Sequence, residues 1–167
     1  MTMEPEAAVS EVREALYRGD RAAADAIVAE GAEVNVFDAA ALGDTQRLRE
    51  LLVEDPALAL AWSADGFTAL HLAAFLGGAD PVRILLEAGS EVGAVARNDM
   101  QVQPLHSGAA LGDVDACRLL LDGGAGANAT QHGGWTPLDE ALITKNEALA
   151  ALLREHGGQL SGNPLPD

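Results

Sequence analysis

His71 and His106 are the side chains of this sequence best placed for acid–base or metal chemistry, because imidazole titrates near neutrality and readily ligates metals. They stand 35 residues apart in similar surroundings, "ALHLAA" and "PLHSGA". Equivalent residues of neighbouring packed helices lie about 10 Å apart. That is too far to share one metal ion at bonds of about 2 Å, so a hydrogen-bonding structural role is expected for both. Cys117 is the one cysteine. It can form neither an internal disulfide nor a cysteine zinc site, and it aligns with Val82 and Ala150 as an inward, inert thiol. Ser63, Ser90 and Ser107 have no accompanying His-plus-acid pattern and no nucleophile elbow. The glycine run "LDGGAGAN" carries no lysine, so it is no phosphate loop. Asp80 with Arg83, and Asp115 with Arg118, read as solvated helix pairs worth a few tenths of a kcal/mol. No catalytic residue, no cofactor site and no metal ligand is expected. A small metal-dependent enzyme using the histidines is the remote alternative.

The elements that would position these residues recur along the chain. "GFTALHLAAFLGG" (Gly66 to Gly78) is echoed by "VQPLHSGAALGD" (Val102 to Asp113) and by "WTPLDEALITKN" (Trp135 to Asn146). "RILLEAGSEV" precedes "RLLLDGGAGA" by the same 35 residues. Upstream, "AAALGDTQRLRELLVED" and "ALYRGDRAAADAIVAEGAEVN" continue the series, which makes five units. Each unit reads as a Thr-like cap, a short Ala/Leu helix, a glycine stop (Gly19, Gly43, Gly77, Gly112), a second amphipathic helix, and a second stop (Gly31, Gly89, Gly124, Gly157). Leu51, Leu85, Leu120 and Leu153 share one inward slot. Two helices and a turn cannot bury their apolar faces alone, so units of this period must stack.

On these residues the chain resembles the ankyrin-repeat family, in a bacterial-type form. The family's Thr-Pro-Leu-His motif appears as "TALHLAA", "QPLHSGA" and "TPLDEAL", and its Gly-Ala-Asp-Val-Asn motif as "GAEVN" and "GAGAN". The resemblance implies an all-α solenoid of about five helix-turn-helix units, with short β-turn fingers between the later ones. The expected units are 8–35 (an N-terminal cap), 36–65, 66–98, 99–132 and 133–160 (a C-terminal cap), with 161–167 a frayed tail. Gln103 in place of Thr and Asp139 in place of His make the usual Thr–His bonding incomplete. The segment Gly89–Gln103 is two residues longer than Gly124–Thr136, which enlarges the loop around Asn98–Val102. Arg154, in the slot of Leu86 and Leu121, marks an outer face.

The resemblance further implies a protein-binding surface on the fingers and the exposed ends of the first helices. The fingers supply Trp62, Asp65 and Phe67, then Asp99, Met100 and Val102, then His132 and Trp135. The first helices supply Phe75, Leu76, Leu111 and Ile143, with Tyr17, Ala41, Leu42 and Ala110 in equivalent slots. Aromatic anchors among scattered polar groups are what binding hot spots use.

Composition points the same way. The formal net charge of −16 repels nucleic acid and anionic membranes and attracts basic partners. One lysine against nine arginines has the bias of a GC-rich genome. The start, "MTMEPEAAVSEVRE", lacks an apolar segment, so no signal peptide is expected, and no apolar run is long enough to cross a bilayer. The expectation is a cytoplasmic monomer that binds another protein, through a basic or apolar segment of it, and is not an enzyme. The alternative is an acidic subunit that neutralises a basic toxin or nucleic-acid enzyme.

Overall fold

Five polar residues start the five first helices. Ser10, Asn35, Thr68, Gln103 and Thr136 each stand in extended backbone immediately before a helical turn. All but Gln103 accept a side-chain hydrogen bond from the free N–H groups of that turn. In the computed structural model, which describes residues 8–165, the first helices are α1 (Glu11–Tyr17), α3 (Val36–Leu42), α5 (Ala69–Leu72), α7 (Pro104–Leu111) and α9 (Pro137–Ile143). The second helices are α2 (Arg21–Ala29), α4 (Thr45–Glu54), α6 (Ala79–Glu87), α8 (Val114–Asp122) and α10 (Glu147–Glu155). Their caps are Asp20, Asp44, Asp113 and Asn146, with Gly78 standing uncapped before α6. Among the described residues the β structure is confined to the isolated bridge between Trp62 and Thr68. None of the described helices is long and apolar enough to cross a membrane.

First helices pack in one row, α1 on α3, α3 on α5, α5 on α7 and α7 on α9, and second helices α4, α6, α8 and α10 in another. Alanine makes this possible. Ala39, Ala40, Ala73, Ala74 and Ala109 are fully buried between first helices, where longer side chains would hold the backbones apart. Leu51, Leu85, Leu120 and Leu153 are all buried in the shared slot, as is Cys117. Arg154 is exposed. Among the described residues the architecture is thus an all-α stack of five helix pairs.

The stops follow the sequence with one correction. Gly19, Gly43 and Gly112 take left-handed backbone as expected, but in the third pair Gly78 (φ 88°) does so rather than Gly77. There α5 runs into a π turn, Ala73–Gly77. Gly77 is required for a different reason: a Cβ on it would lie 2.0 Å from the carbonyl oxygen of Ala40.

The Thr–His bonding is whole only at Thr68 and His71; Gln103 keeps its backbone half and Asp139 replaces the histidine, as the substitutions imply. His71 Nδ1 accepts from the Thr68 N–H (3.2 Å), which puts the proton on Nε2, and Nε2–H donates to the Val102 carbonyl in the next unit (3.0 Å). His106 repeats this with the N–H of Gln103 (3.1 Å) and the carbonyl of Ala129 (2.9 Å). Asp139, which is only an acceptor, takes the N–H of Thr136 (2.8 Å) and the N–H of Ser161 (3.2 Å). The segment 161–167, expected to fray, is therefore tied down over its first residues. Asn163 adds a bond from its amide to the Gly133 carbonyl (3.0 Å). Positions 166–167, like 1–7, lie outside the described residues.

Burial lowers the His71 pKa to about 4, against the pull of the Val102 and Ala94 carbonyls, and lowers His106 as well. Between that value and the unfolded pKa of about 6.5 the unfolded chain binds more protons. The stabilisation is complete above about pH 6.5 and is lost as pH falls towards 4. Urea midpoints should show a loss of about 2 kcal/mol for His71 between pH 7 and pH 5, and His71→Gln should flatten that slope. A midpoint unchanged over this range would contradict the assignment.

Candidate functional site

Three fingers project between the later helix pairs, each closed by its own turn. Ser63 N–H bonds the carbonyl of Phe67 (2.8 Å), Ala96 N–H that of Val102 (2.8 Å), and Gln131 N–H that of Trp135 (3.0 Å). The middle pair spans two more residues than the others, so the extra length foreseen around Asn98–Val102 sits at the finger tip, with Gln101 at φ 51°. Neighbouring fingers are joined edge to edge, Arg97 N–H to the Gly66 carbonyl (2.8 Å) and His132 N–H to the Met100 carbonyl (3.0 Å).

Where the fingers meet the first helices, a cleft of about 270 Å³ opens between the third and fourth pairs. Its walls are equivalent residues of the two units: Phe67 and Val102, His71 and His106, Leu72 and Ser107, Phe75 and Ala110. At three of these four slots the fourth unit carries the smaller side chain, and that deficit in size accounts for the hollow. Tyr17, Met100 and Gln131 complete the lining. Both histidines already bond at both ring nitrogens, so they contribute shape rather than hydrogen-bonding capacity.

Tyr17 reaches the cleft by bridging a whole unit. Its hydroxyl donates to Asp65 (2.6 Å), and Arg13 lies beneath, 3.0 Å from Asp38 and 3.5 Å from Asp65. Burial first, then Asp65, drive the Tyr17 pKa well above the phenol's usual value, so the hydroxyl stays a donor. Burial also pushes Asp38 above the usual carboxylate range, against the opposing pull of Ser10 and Arg13.

Of the residues the sequence assigns to binding, Phe67, Phe75, Met100 and Val102 come together in this cleft. Val102 is buried and forms floor rather than finger tip, which corrects its role. Trp62 is half-buried, with the Arg97 guanidinium over its ring at 3.9 Å and His71 at 6.4 Å; it lies outside the cleft and braces the finger. Asp65 is engaged by Tyr17, Ser63 and Arg13. Leu76 is half-buried against the core and Trp135 half-buried in its turn. Asp99, Leu111, His132 and Ile143 are exposed outside the cleft. Ala41 and Leu42 are buried, which corrects their place on the exposed surface. Leu72, Ser107 and Gln131 are not singled out by the sequence. The signal for the first two was available, since they occupy one slot immediately after the paired histidines.

Cys117 lies against Gly108, where a Cβ would sit 3.0 Å from its sulfur. Burial raises its thiol pKa to about 12. Among the described residues no three or more His, Cys, Asp or Glu are grouped to hold a metal ion.

Stacked helix pairs, glycine-stopped and joined by linked fingers, define a helical-repeat protein. Residues 65–97 match the family model described as the ankyrin repeat. The probable E3 ubiquitin-protein ligase XBOS31 of Oryza sativa subsp. japonica is 44% identical over 66 residues, which are 39% of this chain and 15% of the rice protein. The chain spans only that small share of its relative's length. Residues 65–97 thus carry an ankyrin repeat, and ankyrin repeats in general mediate protein–protein interaction.

Proposed function

We propose that this chain is a non-enzymatic binding module that holds a segment of another protein against its fingers and first helices. The supporting observation is a row of large apolar side chains left in water on that side. Phe75 is 40% exposed, Met100 56%, Leu111 49% and Ile143 36%. Phe75 and Met100 line the cleft, while Leu111 and Ile143 stand exposed outside it. Exposed large apolar side chains gathered at a cleft, as Phe75 and Met100 are, mark interaction sites in soluble proteins. The net charge of −16 favours a basic or apolar segment over nucleic acid or an anionic membrane. The module is read as a monomer acting in the cytoplasm.

Phe75→Ala and Met100→Ala should each weaken partner binding about tenfold, the scale of a hot-spot residue. The melting temperature should change little, because both side chains are solvent-exposed. Affinity capture from native extract followed by titration of the captured partner tests this. Partners retained at unchanged affinity by both folded variants would overturn the reading. The same charge supports a second reading, an acidic subunit that neutralises a basic protein. That reading requires binding to collapse at high salt, since exposed charges are screened within about 8–10 Å at physiological ionic strength. Binding that persists in high salt favours the apolar surface.

A further inference from the structure

From the cleft between the third and fourth units we infer one specific role, which rests on the binding reading above: it is an anchor pocket for a single large apolar side chain, aromatic or branched, carried by a positively charged peptide segment. Size decides the first half. Small-molecule sites run from about 300 to 1,000 Å³, and the cleft, at about 270 Å³, falls just short of that range. One large side chain of a partner fits within it. The origin of the hollow supports this. Val102, Ser107 and Ala110 replace the bulk that Phe67, Leu72 and Phe75 supply one unit earlier, and the next unit restores it with Trp135, Glu140 and Ile143. The stack thus presents one small-residue register between two large ones, a socket of one side chain's width rather than a continuous trough.

Charge decides the second half. Asp65 stands at the Tyr17 end of the cleft, Asp99 is exposed beside Met100, and Glu140 occupies the Ser107 slot of the adjoining unit. The nearest cation on the finger, Arg97, is laid over Trp62. A peptide seated here meets carboxylates on its flanks, within a chain of net charge −16. Such a field selects Lys or Arg beside the anchor and speeds the encounter.

Ala110→Trp tests the pocket without touching the core, because Ala110 is exposed and an added indole there fills the hollow. A random dodecapeptide display library is selected on the wild-type chain, and the enriched peptides are titrated against wild type, Ala110→Trp and Leu111→Ala. The expected result is peptides with at least two Lys or Arg around one aromatic or branched residue. Their affinity should fall tenfold or more on Ala110→Trp, and equally when the anchor becomes alanine. Enriched peptides that ignore Ala110→Trp, or that lack positive charge, overturn the inference, as does a selection yielding none preferred by wild type. If such peptides respond to Leu111→Ala but not to Ala110→Trp, the pocket assignment fails while the binding surface stands. If they respond to neither variant, the binding reading fails with it.

Discussion

Arg13→Ala is expected to lower the unfolding free energy by about 3–5 kcal/mol, the usual cost of removing one partner of a buried ion pair. Arg13 and Asp38 have no side-chain exposure and lie 3.0 Å apart. The guanidinium also reaches Asp65 at 3.5 Å and rests 5.4 Å above the Phe37 ring. Taking Arg13 away leaves Asp38 in a site that already disfavours its charge. Because each unit of a repeat stack touches only its neighbours, the damage should concentrate at the seam between α1 and α3. Amides of α1 and α2 should then exchange at lower denaturant than those of α7 and α8. Urea unfolding with hydrogen exchange reads both effects. Replacing the pair together, Arg13→Met with Asp38→Leu, should recover much of the loss, since an apolar pair of similar volume is commonly neutral. A single-variant loss below about 1 kcal/mol, the size of an exposed pair, would mean that the site is solvated and the seam is held by packing alone.

Leu120→Ala is the second large effect, expected at about 2–5 kcal/mol from lost transfer energy and the cavity left behind. Leu120 is fully buried in α8, which packs between α6 and α10. Loss of contact there weakens two interfaces, whereas a terminal unit has one. Leu165→Ala, at a position 38% exposed near the end of the described chain, should stay within about 0.5 kcal/mol. Matched denaturation curves for the two variants make the comparison. Equal losses would count against the shared inward slot.

The repeat architecture was legible because it rests on local chemistry that recurs. A polar cap, an alanine-rich turn and a glycine able to adopt left-handed backbone are each visible in a dozen residues, and their recurrence places Leu51, Leu85, Leu120 and Leu153 inside. Gly77 shows the limit: the sequence identified the glycine, but the cause is the Ala40 carbonyl of the preceding unit, which no local rule reports. The contact surface was legible only as a set of slots. Whether a slot faces water depends on what reaches over it. Tyr17 reaches a residue 48 positions away, a contact no local pattern reports, and Ala41 and Leu42 are buried despite their slots. Arg97 lies over the Trp62 ring. The cleft is a difference between units rather than a property of one. It comes into view only when Phe67, Leu72 and Phe75 are set beside Val102, Ser107 and Ala110 and their volumes compared.

Asp139 fixes a polarity. The two histidines of the motif hand a proton donor forward to a carbonyl of the following finger, whereas Asp139 faces the following segment as an acceptor. Burial alone would raise its pKa, yet the hydrogen bonds from Thr136 and Ser161 hold it below the usual carboxylate value. Grafting a duplicated unit directly after the fifth would set a carboxylate against a carbonyl, two acceptors with no hydrogen between them. A unit added there would require Asp139 to take up a proton or be replaced by a donor such as histidine, so this joint disfavours extension by copying.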